Sequence, residues 1–148
     1  IRLTQTFGPG VRYDDGRVFA EFARCVIEKK DIILNTKGET KRSYLYTEDA
    51  AKAILTILKE GIAGEAYNVA NEDTYCSIYE MAKLVVDKCS NNKIKVIIDE
   101  SENSFKYGYA PTLHMNLDTS KIRMLGWNPT IDLEKMYKLM IEWMANNK

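Results

Sequence analysis

The stretch of this sequence best equipped for chemistry is Gly38-Glu39-Thr40-Lys41-Arg42-Ser43-Tyr44-Leu45-Tyr46-Thr47-Glu48-Asp49, in which a glycine turn delivers Lys41 and Arg42 onto the start of an aromatic strand. A guanidinium presents a planar fork of donors that meets two phosphate oxygens at once, whereas an ammonium is a point charge. Arg42 is therefore the better diphosphate ligand of the two. The same spacing equally suits a solvated turn in which Arg42 pairs with Glu48 or Asp49.

Other patterns carry less. Tyr79-Glu80-Met81-Ala82-Lys83 places a tyrosine and a lysine four apart, the arrangement in which a lysine lowers a phenol's pKa for general-base work. Here the pair sits in the first turn of a helix that Ser77-Ile78-Tyr79-Glu80 already caps by its own chemistry, and no glycine-rich loop precedes it. We read Tyr79 and Lys83 as structural. Gly8-Pro9-Gly10 lacks the third glycine of a dinucleotide fingerprint and runs on into loop, so it reads as a simple turn. His114 is the single histidine, and the three cysteines, Cys25, Cys76 and Cys89, lack the close spacing of a zinc or redox motif. No metal site, no catalytic residue and no cofactor-binding residue is assigned.

These side chains need elements to hold them. Ile1 to Thr6 reads as an opening strand, followed by a turn at Phe7-Gly8-Pro9-Gly10 and loop to about Arg17. Val18, Phe19, Phe22, Ala23, Val26 and Ile27 recur at helical spacing up to Lys29-Lys30. Ile32-Ile33-Leu34 and Ser43-Tyr44-Leu45-Tyr46 are strands, most simply joined as a β-ribbon about the Lys37-Gly38-Glu39 turn. Thr47 is placed to cap a helix with Glu48 and Asp49 in its first turn and Ala50, Ala53, Ile54, Ile57 and Leu58 toward the core. A strand at Ala66 to Ala70 and the capped helix to about Cys89 follow, then a strand at Ile94 to Ile98. The polar run Asp99 to Pro111 is the best candidate for a mobile loop. A short helix from Thr119 to Leu125 precedes a last helix with Leu133, Met136, Tyr137, Met140, Ile141 and Met144 on one face, where core packing explains the methionines. Strands alternate with helices throughout, which favours an α/β domain over residues 1–148.

Composition excludes several classes. The 148 residues are 45% hydrophobic and 28% charged, the balance of a chain able to bury a core rather than a disordered one. Twenty-one basic residues against 21 acidic give no net charge, which argues against a nucleic-acid partner or an anionic membrane surface. No apolar run approaches a membrane span and no signal peptide is evident, so a soluble protein is expected. Unpaired cysteines suit the cytoplasm. The chain opens within a strand and not at a methionine, so it reads as part of something longer.

Four segments, in order, resemble the extended short-chain dehydrogenase/reductase family of NAD-dependent nucleotide-sugar epimerases and dehydratases. They are Arg2-Leu3-Thr4-Gln5-Thr6-Phe7-Gly8-Pro9-Gly10, Arg42 through Asp49, Gly64-Glu65-Ala66-Tyr67-Asn68-Val69, and Asp118-Thr119-Ser120-Lys121 through Leu125-Gly126-Trp127-Asn128-Pro129. The likeness covers nearly the whole chain. It implies a C-terminal, substrate-binding region of a Rossmann-type enzyme, some of whose strands would complete the sheet of an absent N-terminal part. That part would carry the glycine loop, the catalytic serine or threonine and the tyrosine-lysine pair, bind NAD and transfer hydride, so the present chain would bind no cofactor and be catalytically silent alone. By position the resemblance assigns Gln5 to the sugar nucleotide, Arg42 to its diphosphate and Asn35 to the strand lining the base, with Arg17 and Val18 beside the substrate. Glutamine stands at position 5 where the family has asparagine, and the family's arginine-proline-glycine segment is not found in Phe105-Lys106-Tyr107-Gly108-Tyr109-Ala110-Pro111. The implied ligand is a UDP- or dTDP-sugar, the implied enzyme a UDP-glucose 4-epimerase-like isomerase or a dehydratase, possible as a homodimer. The rival reading is a noncatalytic nucleotide-binding or interaction module of the same fold.

Overall fold

The computed structural model describes residues 1–100 and 111–148. In chain order the elements are β1 (Arg2–Leu3), β2 (Gln5–Phe7), α1 (Val18–Glu28), β3 (Ile32–Leu34), β4 (Lys41–Tyr46), α2 (Thr47–Glu60), β5 (Asn68–Val69), β6 (Asn71–Ser77), α3 (Ile78–Cys89), β7 (Val96–Ile98), β8 (His114–Met115), α4 (Ser120–Arg123) and α5 (Leu133–Asn146). The expected mobile loop from Asp99 to Pro111 and the comparison made over Phe105 to Pro111 fall, but for Asp99, Glu100 and Pro111, outside the described residues.

β4 organises the molecule because its side chains alternate between two apolar surroundings. Tyr44 and Tyr46 enter a core formed with Phe7, Phe19, Phe22, Met81, Val85, Met136, Tyr137 and Met140, while Leu45 points into a second core with Ala50, Ala53, Tyr67, Val69, Ile122 and Trp127. In the first core the Phe7 ring stacks on Phe19 at 4.6 Å and meets Tyr137 edge-on at 5.1 Å, tying β2 to α1 and α5. The helical faces read for α1 and α5 are the ones buried here; Met136, Met140 and Met144 are fully enclosed.

Strand pairing corrects the sequence reading in three places. The opening strand divides at the buried Thr4, whose hydroxyl donates to the Ser43 carbonyl: β1 runs parallel to β5, and β2 runs parallel to β4 with Gln5 opposite Tyr44. The expected ribbon does not form. β3 pairs in parallel with β7, and β4 lies between β2 and β6 with β8 also alongside it, because the intervening turn docks on α3 instead of closing a hairpin. β6 has no counterpart in the sequence reading, since Asn71, Glu72 and Asp73 are poor strand formers. Pairing with β4 overrides propensity there. Where the register slips between Arg42 and Tyr44, the Thr74 hydroxyl accepts the Tyr44 N–H at 2.7 Å.

α2 differs at its start and on its outer face. Its N-cap is Tyr46, which offers no side-chain cap, and Thr47 is already helical. Ala50 and Ala53 are buried as expected and Ile57 is partly so, but Ile54 and Leu58 stand 42% and 78% exposed, as does Leu55 at 66%. The helix is apolar over more of its circumference than one core can cover, and the second core takes the side bearing small residues.

Candidate functional site

A cavity of about 510 Å³ opens at the entry ends of β2 and β4, with Gln5, Val18, Asn35 and Arg42 all on its wall. Each arrives from a different element. Gln5 is the first residue of β2 and Val18 the first of α1; Asn35 immediately follows β3, and Arg42 sits in β4 between Cys76 of β6 and Met115 of β8. Phe22, Ile33 and Leu34 supply the apolar part of the wall, and the turn from Thr36 to Thr40 closes one side. The size and the mixture of apolar wall with a few polar groups are those of a small-molecule site.

Polar groups of the wall are available to a ligand. Among the described residues Arg42 forms no ion pair, and its Nε, like the Gln5 Oε1, is buried without a hydrogen-bond partner. A buried guanidinium N–H left without an acceptor is costly, and the same side chain lines a cavity large enough for a small molecule. The competing partners are engaged elsewhere. Glu48 pairs with Lys52 at 2.7 Å, and the buried Asp49 carboxylate accepts the Thr130 N–H and hydroxyl, both at 2.8 Å. The alternative in which Arg42 serves those two acids is thereby removed.

Arg17 is placed otherwise. Its guanidinium grips the Asp15 carboxylate, with Nε at 3.0 Å from Oδ1 and an NH2 at 2.5 Å from Oδ2, and lies 4.7 Å from the centre of the Phe19 ring. That grip holds the Asp15 carboxyl down at about 2. Gly16 and Val18 reach the cavity wall on either side of it, whereas Arg17 does not line it. Sequence reasoning also passed over Glu21, Phe22, Ile78 and Thr112 as wall residues. Phe22 and Ile78 look like ordinary core positions in the sequence, and nothing local distinguishes them.

Tyr79 and Lys83 lie on an exposed face of α3, and neither lines this cavity. The capping box is as read: the Ser77 Oγ accepts the Glu80 N–H at 3.0 Å and the Glu80 carboxylate accepts the Ser77 N–H at 2.7 Å. The three cysteines are free and half-buried, and burial pushes the Cys76 and Cys89 thiols up to about 11, away from nucleophilic use at neutral pH. Among the described residues no cluster of His, Cys, Asp and Glu comes together as a metal site, and no helix is long and apolar enough to cross a membrane. The Gly8-Pro9-Gly10 turn does not fit a dinucleotide. Gly10 takes φ +96°, but the next helix begins only at Val18, so no helix N-terminus stands behind the turn to receive a pyrophosphate.

Known proteins agree with the geometry. The NAD dependent epimerase/dehydratase family model matches residues 1–70. A dTDP-D-glucose 4,6-dehydratase of Bos taurus is 30% identical over 99% of this chain and 40% of its own length. The chain thus spans about two fifths of that relative. Among solved structures, UDP-glucose 4-epimerase from Thermotoga maritima, determined with UDP-glucose, superposes with a TM-score of 0.80 at 22% identity, covering 98% of this chain and 45% of that one. The dTDP-glucose 4,6-dehydratase of Bacillus anthracis, determined with NAD, gives 0.78 at 17% identity over 99% and 44%. These neighbours establish a Rossmann-type α/β fold. Residues 1–70 thus match the NAD-dependent epimerase/dehydratase family, and over nearly its whole length the chain is similar to about two fifths of such an enzyme.

Proposed function

We propose that residues 1–148 are the C-terminal, nucleotide-sugar-binding region of an NAD-dependent epimerase or dehydratase of the cytoplasm. One observation carries the reading: the half-buried Arg42 side chain lines the cavity, forms no ion pair among the described residues, and stands on the same wall as Gln5. A diphosphate is the group that satisfies a guanidinium fork best. Arg42 takes the diphosphate, Gln5 and Val18 the sugar side, and Asn35 with the apolar end of β3 the base. Arg17 contributes through Asp15 by fixing the start of α1. The relatives named above act on or were determined with UDP- or dTDP-linked glucose, which supports a UDP- or dTDP-sugar as the ligand. NAD and hydride transfer belong to the N-terminal part of the full-length protein, and a homodimer is the assembly we expect of it.

Thermal-shift titration of the full-length protein with UDP-glucose and dTDP-glucose tests this. A ligand that binds only the folded state at a hundred times its Kd stabilises it by about 2.7 kcal/mol, so at least one should raise the melting temperature by several degrees. No shift with either, at millimolar concentration, refutes the reading.

A further inference from the structure

Gly38 stands at the crest of the turn that walls the cavity, and it is held against the start of α3 from both directions. The Tyr79 N–H donates to the Gly38 carbonyl at 3.1 Å, and the Ile78 N–H donates to the Thr40 carbonyl at 3.0 Å. These are two of the donors that a helix leaves without an internal partner in its first turn. The third, the Glu80 N–H, is taken by Ser77 in the capping box. The turn thus replaces solvent as the acceptor for the end of the helix.

Contact at Gly38 is close enough to exclude any side chain. Its φ is +66°, and a Cβ there would lie 2.9 Å from the Tyr79 backbone nitrogen and 3.2 Å from the Tyr79 Cβ, both on a helix that cannot give way cheaply. On its other side the turn is tied by the Lys41 N–H to the Leu113 carbonyl at 2.7 Å. Asn35, Thr36, Lys37, Gly38, Glu39 and Thr40 all line the cavity, and Arg42 follows at once.

We propose that the backbone contact between Gly38 and Tyr79 is a latch that positions the Asn35–Arg42 wall for the nucleotide sugar, with Gly38 as its positioning residue. The proposal rests on the nucleotide-sugar reading of the cavity. It uses Tyr79 for its backbone N–H and not for its phenol, which gives the tyrosine a role without any part in catalysis.

The test is made on the full-length protein loaded with NAD, using whichever of UDP-glucose and dTDP-glucose binds the parent. Gly38→Asn brings a Cβ against α3 while asparagine tolerates the positive φ. Tyr79→Pro, in the first turn where a helix accepts proline, removes the donor and crowds the turn from the other side. Gly64→Asn, at φ +82° with nothing within 4 Å of an added Cβ, is the matched control, and Tyr79→Phe keeps the latch. Because a wall displaced by about an ångström misplaces the ligand, Gly38→Asn and Tyr79→Pro should each weaken nucleotide-sugar binding by about tenfold or more, raising KM with kcat within about threefold. NAD affinity should not move, and Gly64→Asn and Tyr79→Phe should bind like the parent. Should Gly38→Asn fail to fold, Tyr79→Pro decides. Parent-like affinity in either folded variant overturns the latch; if Arg42→Ala in the same series has lost affinity, the cavity reading survives that result. A parent that binds neither sugar overturns both.

Discussion

At the scale of single residues, Arg42 and Asp15 show two uses of one ion chemistry. Arg42 is half-buried on the cavity wall and forms no ion pair among the described residues, so on the proposed reading its interaction is made with the ligand. A charge-assisted hydrogen bond contributes about 1.5–3 kcal/mol, and Arg42→Ala in the full-length protein should therefore weaken nucleotide-sugar binding about ten- to a hundredfold. Arg42→Lys should recover only part of this, since an ammonium cannot reproduce the fork. Isothermal calorimetry measures both, and an alanine variant that binds like the parent refutes the phosphate site. Asp15 spends its interaction internally, on Arg17. Its carboxyl is depressed from 3.8 to about 2, so the stabilisation is present above the unfolded value and is lost as pH falls through the folded one. Asp15→Asn should unfold at lower urea than the parent at pH 7, and the gap should close between about pH 4 and 2. A gap that persists unchanged at pH 2 would show that the pair does not matter.

At the scale of elements, the beginning of α2 acts as an anchor for a distant segment. Asp49, 1% exposed, accepts from the Thr130 N–H, the Thr130 hydroxyl and the Ile131 N–H, while its carbonyl accepts the Trp127 indole N–H at 3.0 Å. One residue thus fixes the approach to α5, whose apolar face fills the first core. Asp49→Ala leaves two backbone donors and a hydroxyl without their acceptor and should cost about 3 kcal/mol. Denaturant unfolding followed by tryptophan fluorescence reads this, and a loss under 1 kcal/mol would show that water takes over the carboxylate's role. The Gly38 turn against α3 works in the same manner, with an element's unused end holding a neighbour in place.

For the whole molecule, two features point the same way. β1 and β5 form a parallel pair of two strands, and sheets of that kind are ordinarily continued and covered on both faces. In the α2 region Ile54, Leu55, Leu58 and Ile62 are exposed, Ile62 at 67%. On the proposed reading the NAD-binding part covers this face. Leu55→Lys with Leu58→Lys should leave the melting temperature of the 148-residue chain within about 2 °C, as surface changes do, and reduce its self-association. In the full-length protein the same pair should cost about 3 kcal/mol or more, since each buried leucine contributes roughly 1.5–3 kcal/mol. Equal effects in both forms would show that the face is free in each. The second expectation concerns cofactor: residues 1–148 alone should give no saturable heat with NAD, because Gly8-Pro9-Gly10 has no helix behind it. Micromolar binding by this chain would assign that turn a cofactor role.

Local pattern was enough to read α1 and α5 with their buried faces, α3 with its Ser77–Glu80 cap, and the Gly38 turn, because periodicity, capping and glycine conformations are fixed within a few residues of one another. It also named Gln5, Val18, Asn35 and Arg42, which the fold then brings to one wall. Pairing was beyond it. The polar Asn71–Ser77 becomes a strand because β4 needs a partner, and Ile32–Leu34 joins β7, more than sixty residues away, instead of its near neighbour. Spacing alone likewise left Arg42 between a ligand and Glu48 or Asp49. The tertiary structure removed the two acids by giving Glu48 to Lys52 and Asp49 to Thr130, and it turned Arg17 onto Asp15 away from the cavity. A charged side chain reaches any partner within several ångströms, and which one it takes depends on elements that the local sequence does not contain.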